Sequence, residues 1–247
     1  MAGERILILG GTGEARGLAG ALIDEGFHAV TSLAGVTLSP RLPAGEVRRG
    51  GFGGEGGLAD YVKREDIRAI LDATHPYAAQ MSRHAHWAAQ AMGVPYLRLE
   101  RAPWQPAISD CWIHVASIAD AVAALPGGAR AFVTIGRKEI AAFFARPDLE
   151  GVARMIEPPV EIIPPRWTLL LERPPFSLDH ELGLIDRYRI THLVSKNAGG
   201  EDTRAKLLAA RERKIPVIMV ARPVKPEAPP FSSVEALIPA LRRMLSS

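Results

Sequence analysis

The chain has 247 residues, 47% of them hydrophobic and 23% charged, with a formal net charge of +3 and one cysteine, Cys111. That size and apolar content suit one large α/β domain or two small ones, and a lone cysteine excludes an internal disulfide or a thiolate-rich metal site. There is no apolar run of the roughly 18 to 20 residues that span a bilayer, no signal-peptide pattern, and no Lys/Arg stripe interleaved with the 6% aromatic residues, so a cytoplasmic protein that binds neither membrane nor nucleic acid is expected.

Residues 6–9 are β-branched or leucine without a break, as in a strand covered on both faces, and the run stops at Gly10, Gly11 and Gly13, which free the backbone to turn sharply. Ala15, Leu18, Ala19 and Leu22 then recur at helical spacing. A strand, glycine turn and helix in that order point free amides and the positive dipole end of the helix out of the turn, which suits a phosphate. Gly10-x-x-Gly13-x-x-x-Gly17 is a relaxed form of the dinucleotide fingerprint, and this context favours nucleotide binding over a plain structural turn.

A second strand over 27–33 ends in Ser32-Leu33-Ala34-Gly35. An NAD enzyme usually places an acid about 20 residues past the turn to hold the ribose 2′-hydroxyl, and the absence of one here favours NADP. Ser32 could meet the 2′-phosphate directly, with Arg41, Arg48 or Arg49 either supplying charge or remaining solvated loop residues. Residues 45–49 form a short third strand, and the glycines of Gly50-Gly51-Phe52-Gly53-Gly54 imply backbone held close to something. A helix over 56–64 leads to a fourth strand over 69–73. It runs into Thr74, His75, Pro76 and Tyr77, which fall where a nicotinamide ring would lie, outside the carboxyl end of a parallel strand. The next helix carries Ala78, Met81, Ala85, Ala88 and Met92 as a core stripe, while His84 and His86, two apart, diverge and are not expected to hold a metal. A fifth strand over 94–99 completes this half, the Pro-rich stretch 103–106 reads as a linker, and Cys111 reads as a buried structural residue.

The second half repeats the alternation. A strand over 131–135 ends at Gly136-Arg137-Lys138-Glu139 and a short helix over 139–144. Strands over 152–156 and 167–171 follow, the latter ending in Glu172-Arg173-Pro174-Pro175-Phe176. A strand over 191–194 closes in Ser195-Lys196-Asn197-Ala198-Gly199-Gly200, then come a helix over 203–213, a strand over 217–220 and a helix over 234–245. The pattern predicts two Rossmann-like parallel-sheet domains, residues 1–105 and 106–247, with the site in a cleft between them. Cations at three strand ends of the second half, and a sequence pI of about 9.2, favour an anionic small molecule.

A Gly-x-Ser-x-Gly elbow and a P-loop are both missing, and the residues four beyond Tyr61, Tyr77, Tyr96 and Tyr188 are Glu65, Met81, Glu100 and His192, so no Tyr-x-x-x-Lys pair occurs. A hydride-transferring enzyme needs little more than orientation, a proton source and charge complementarity, which fits this chain. A non-catalytic NADP-sensing module is the alternative, and a sugar-nucleotide reductase or epimerase loses weight from the missing pair.

Leu9-Gly-Gly-Thr-Gly-Glu-Ala-Arg16, Ser-Leu-Ala-Gly at 32–35, Gly-Gly-Phe-Gly-Gly at 50–54, Asp72-Ala-Thr-His-Pro-Tyr77, Gly136-Arg137, Arg173-Pro-Pro-Phe176 and Lys196-Asn-Ala-Gly-Gly200 with Thr203-Arg-Ala-Lys-Leu207 occur in this order. Together, over nearly the whole chain, they resemble the precorrin-6A reductase family of the cobalamin pathway. The resemblance implies NADPH-dependent reduction of the double bond between carbons 18 and 19 of precorrin-6A, a ring-contracted tetrapyrrole bearing many carboxylates, to precorrin-6B. It also implies domains that exchange a strand, so the chain is able to recross a boundary at 105. On this resemblance Gly10, Gly11, Thr12, Gly13, Glu14 and Ala15 line the pyrophosphate, Ser32 the adenosine ribose, and Thr74, His75, Pro76 and Tyr77 the nicotinamide. Arg137, Lys138, Arg173, Lys196 and Asn197 meet substrate carboxylates, and Tyr77, His75 and Lys196 are candidate proton donors, with water as another. Relatives often carry Arg directly after Ser-Leu-Ala-Gly where this chain has Val36, which leaves the holder of the 2′-phosphate open. A cobalt-containing form of the substrate is the alternative. A monomer without a resident metal is expected, compatible with handover to neighbouring pathway enzymes.

Overall fold

The computed structural model describes residues 3–34, 42–226, 228 and 230–246. Arg41 and Val36 lie outside them. Two compact units each contain one sheet of six parallel strands.

The first unit runs β1 (Arg5–Leu9), α1 (Gly13–Asp24), β2 (His28–Leu33), β3 (Glu46–Arg49), α2 (Glu55–Arg64), β4 (Ile67–Asp72), α3 (Ala79–Met92) and β5 (Tyr96–Leu99). Two late elements join it, β12 (Pro230–Phe231) and α8 (Val234–Leu245), and the sheet order is β12-β5-β4-β1-β2-β3. Alternation along β1 explains its unbroken apolar run. Ile6 and Ile8 pack with Leu18 and Leu22 of α1 and Leu237 and Leu241 of α8, while Leu7 and Leu9 pack with Leu58 of α2 and Ala85 of α3. Both faces are covered, so neither set of side chains can be polar.

The second unit, Pro103–Arg222, holds β6 (Trp112–Val115), α4 (Ile118–Ala123), β7 (Arg130–Val133), α5 (Ala141–Phe144), β8 (Glu150–Met155) and β9 (Trp167–Leu171), then α6 (Leu178–Arg187), β10 (His192–Lys196), α7 (Ala205–Glu212) and β11 (Val217–Val220). Its order is β6-β11-β10-β7-β8-β9. Phe132, Leu184, Ile185, Leu193, Leu207 and Met219 form its core.

The two orders reveal where the chain recrosses. β6 follows β5 in sequence but pairs with β11, and β12 follows β11 but pairs with β5. The first sheet therefore takes its sixth strand from the end of the chain, whereas the second sheet is built wholly from residues 103–222. The returning segment is anchored on β5 through Lys225 Nζ to Glu100 at 2.9 Å and Arg98 to the Pro226 carbonyl at 2.7 Å. The expected division at 105/106 differs from this arrangement, because residues 223–246 belong with the first unit. Leu237 and Leu241 of α8 are fully buried against α1 there, and burying such a leucine contributes roughly 1.5–3 kcal/mol.

Other expectations change as well. Cys111 is exposed rather than buried, because it precedes β6, an edge strand whose Ile113 is itself 42% exposed. On α3 the core residues are Ala79, Ser82, Ala85, Ala88 and Ala89, and Met92 is exposed. Three of the glycines of 50–54 answer to backbone conformation and not to close packing within the chain. Gly50, Gly53 and Gly54 have φ of +106°, +82° and +98°, and a Cβ on any of them would meet nothing within 4 Å. No helix among the described residues is long and apolar enough to cross a membrane.

Candidate active site

The register places Leu9 of β1 between Ser32 of β2 and Asp72 of β4. The glycine turn, the end of β2 and the stretch Thr74–Tyr77 thus emerge side by side at the carboxyl edge of one sheet. Thr12 joins them. Its Oγ1 accepts from Ala15 N at 3.1 Å as the N-cap of α1 and donates to the Ala73 carbonyl at 2.8 Å.

The glycines of the turn have separate causes. A Cβ on Gly10 would lie 2.7 Å from Cγ2 of Thr31, and Gly11 has φ +113°. Gly13 has neither constraint, since a Cβ there would meet only the Arg16 guanidinium at 3.6 Å. Open space above the first turn of α1, where free amides point outward, is a seat that a side chain would fill and a phosphate can use. Gly17 is exposed with nothing within 4 Å of a Cβ, so it is no packing glycine of the fingerprint. Glu14, in the same first turn, is neutralised by Arg101 Nη1 at 3.0 and 3.3 Å.

Ser32 is buried, and its Oγ accepts from Arg48 Nη1 at 2.8 Å, the two residues being register partners on β2 and β3. Arg48 also donates to the carbonyls of Gly50 and Gly51, both at 3.1 Å, and its guanidinium lies 3.8 Å from the Phe52 ring centre. Arg49 pairs with Leu33 instead, and the alternation of a strand sends it to the opposite face.

Asp72 organises the third stretch. It is 2% exposed, and its carboxylate accepts from Thr74 N (3.1 Å), Thr74 Oγ1 (2.6 Å), Ser82 Oγ (2.5 Å) and Tyr96 Oη (2.9 Å). Burial, aided by the Asp72 charge, pushes the Tyr96 phenol above the usual tyrosine range, so it stays a donor. This hub fixes the exit from β4 and hence His75, Pro76 and Tyr77. The amide of Tyr77 donates to His75 Nδ1 at 3.3 Å, which puts the proton of the neutral imidazole on Nε2. The two rings are 5.7 Å apart.

In the second unit Arg137, Lys138, Arg173, Lys196 and Asn197 all follow or end strands at the carboxyl edge of its sheet. Lys196 ends β10, next to β7, whose exit carries Arg137 and exposed Lys138. Glu139 grips Lys196 Nζ with both oxygens at 2.9 Å, Arg137 donates to the Pro158 carbonyl at 3.4 Å, and Arg173 meets Glu157 at 3.1 Å. The side chain of Asn197 has a structural duty. Its oxygen accepts from Trp104 N at 2.8 Å and its nitrogen donates to Trp104 O at 3.1 Å, while the Trp104 indole donates to Gly200 O at 2.9 Å.

Several of these features were absent from the sequence reading: the Asp72 hub, the Trp104 clamp, the Glu14–Arg101 pair and a buried pair of Arg154 with Glu181 at 2.7 Å. The Arg154 guanidinium lies 3.7 Å from the Phe176 ring centre. Asp72 carried a signal in the run Asp-Ala-Thr, where an acid two residues before a threonine suits a local side-chain turn. The other partners stand far apart in sequence and carried none.

Comparison with known proteins gives a consistent picture. A family model described as "Precorrin-6x reductase CbiJ/CobK" matches residues 5–242. A precorrin-6A reductase of Rhodococcus erythropolis is 51% identical over 226 residues, 91% of each chain. A cobalt-precorrin-6A reductase of Priestia megaterium is 28% identical over 96% of this chain and 97% of its own. A solved structure described as CobK precorrin-6A reductase superposes with a TM-score of 0.92 at 42% identity, covering 98% of this chain and 97% of that one.

Proposed function

Because the chain belongs to the precorrin-6x reductase family, we propose that it reduces the double bond between carbons 18 and 19 of precorrin-6A to give precorrin-6B in cobalamin biosynthesis, with NADPH as reductant. It is an oxidoreductase, as its relatives are named reductases. The greater likeness to the precorrin-6A reductase than to the cobalt-precorrin-6A reductase supports a metal-free substrate.

The observation that carries the cofactor reading is the row formed by the glycine turn, the Ser32–Arg48 pair and Thr74–Tyr77 at adjacent strand ends. In open parallel sheets this edge is where a dinucleotide lies. NADPH, when bound, supplies the hydride. The chain's own residues do the rest. Gly11, Thr12, Gly13 and Glu14 offer amides and space to the pyrophosphate, with Arg101 masking the Glu14 charge and the Ala15 amide held by Thr12 Oγ1 to fix the turn. Thr74, His75 and Pro76, held by Asp72, border the nicotinamide. In the second unit Arg137, Lys138, Arg173 and Lys196 take substrate carboxylates by charge-assisted hydrogen bonds. Asn197 shapes that edge through Trp104 rather than by a free amide. Reduction also needs a proton at the carbon next to the one that receives hydride, and Tyr77, His75 and Lys196 are the donors proposed.

Mixing the purified protein with NADPH and precorrin-6A tests the reading. The nicotinamide absorbance should fall only when both are present, and the tetrapyrrole should gain two hydrogens by mass spectrometry. Absorbance loss without tetrapyrrole, or an unchanged tetrapyrrole mass, would overturn it.

A further inference from the structure

Arg48 is a partly buried cation that, among the described residues, makes no ion pair, although the other arginines at least partly buried on strands of the same sheet, and Arg101 just beyond β5, have one. Arg5 pairs with Glu46 and Glu65, Arg98 with Glu100, and Arg101 with Glu14. The stretch 35–41, which joins β2 to β3, contains no acid either. Burial, with repulsion from Arg64, lowers the pKa of the guanidinium from its usual value. A desolvated charge without a counter-charge is costly to hold, and a bound anion removes that cost.

The geometry says where the anion goes. A guanidinium has five N–H donors. Three are committed, two from Nη1 to Ser32 Oγ and Gly50 O and one from Nη2 to Gly51 O. Two donors therefore remain. The Phe52 ring, 3.8 Å from Cζ, and the Tyr61 ring, at 5.0 Å, steady the plane by cation–π contact. Ser32 accepts from Arg48 Nη1 and so fixes the guanidinium from the side opposite its free Nε–H and Nη2–H. Ser32 also stands at the end of β2, the position where a carboxylate would hold a ribose 2′-hydroxyl in an NAD enzyme.

We propose that Arg48, seated against Ser32, is the group that selects a 2′-phosphorylated adenosine, gripping the phosphate with its two remaining N–H donors while Ser32 holds the guanidinium from the opposite side. The inference rests on the NADPH reading and adds to it a site on β3, one strand beyond the usual position. It also explains how a chain with Val36 directly after Ser-Leu-Ala-Gly can hold the phosphate.

The test measures dissociation constants of the intact protein for NADPH, NADH, 2′,5′-ADP and 5′-AMP. Wild type should favour each 2′-phosphorylated ligand over its counterpart by roughly 10- to 150-fold, the range for hydrogen bonds to a charged group. Arg48→Gln retains a planar donor toward Ser32 and should reduce that ratio to within a few-fold, with NADH and 5′-AMP binding unchanged. Ser32→Asp, which places a carboxylate at the end of β2, should invert the preference toward NADH and serves also if Arg48→Gln folds poorly. A wild-type ratio retained in both variants overturns the proposal while leaving the NADPH reading intact. So does equal loss of all four ligands in folded Arg48→Gln, which would make Arg48 a structural prop. Wild type binding NADPH and NADH alike would overturn the NADPH reading and the Arg48 assignment together.

Discussion

At Gly11 the backbone has φ +113°, where any side chain is strained, whereas Gly13 begins α1 outside the positive-φ region with open space before it. Gly13→Val is therefore expected to leave the melting temperature nearly unchanged, since ordinary residues differ by less than about 1 kcal/mol in a helix. It should abolish NADPH binding, because the branched side chain occupies the phosphate seat. Thermal denaturation and a fluorescence titration of the same sample separate the two effects, and a variant that binds like wild type would make the turn purely structural. Binding lost with stability kept would make the reason for glycine here steric toward the ligand and not conformational, a distinction that spacing alone could not draw. The strand-end positions of the candidate site residues were legible in the sequence. Their partners were not. Lys196 reads as a free cation in sequence, but Glu139, 57 residues away, holds it.

Among the elements, strands covered on both faces were legible because their apolar runs admit no polar residue, as in β1 and β11. β6 was not, since it lies at a sheet edge with Ile113 and His114 exposed, nor was β12, which is two residues long. α6 was passed over for a different reason: its stripe is interrupted by Glu181, fully buried but paired with Arg154. The approach to β6 is held by Asp110, which accepts from Arg211 of α7 at 2.7 and 3.0 Å and from Ala107 N at 2.7 Å. The Arg211 hydrogen bonds hold the Asp110 carboxyl below the usual aspartate range. A folded pKa below the unfolded one means stability that is fully present above about pH 4 and lost as the pH falls through the folded value. Arg211→Gln should therefore remove about 1 kcal/mol at neutral pH, allowing for solvent screening on the partly exposed Arg211 side of the pair. It should also flatten the acid limb of the stability curve below pH 4. Urea denaturation at pH 7 and pH 3 checks both, and an equal deficit at the two values would show that the ion pair does not carry the effect.

For the whole molecule, the repeated order of strands and helices was readable from the alternation, but the return of the chain to the first sheet through β12 was expected only through family resemblance. A parallel sheet edge accepts any strand of suitable pattern, and the choice between edges is made by distant anchors such as Lys225–Glu100 and the α8 leucines on α1. Because the end of the chain completes the first unit, the proposed roles of cofactor unit and substrate unit need testing by binding and not by cutting the chain at residue 105. The Glu139 grip on Lys196 supplies a test with a definite sign. If Lys196 binds substrate carboxylate, Glu139 competes for the same ammonium, and Glu139→Gln should tighten precorrin-6A binding. Lys196→Ala and Arg137→Ala should each weaken it by about 1.5 to 3 kcal/mol, the range for a hydrogen bond to a charged group. NADPH affinity should stay within a few-fold in all three, because the glycine turn and the Ser32–Arg48 pair lie in the other unit. A further loss of turnover at saturating substrate in Lys196→Ala alone would mark it as the proton donor, whereas a change confined to KM would leave Tyr77 and His75. Titration of each variant with tetrapyrrole and with NADPH separately decides the assignment. Weaker substrate binding in Glu139→Gln, or NADPH loss with substrate binding intact in the alanine variants, would reverse the roles given to the two units.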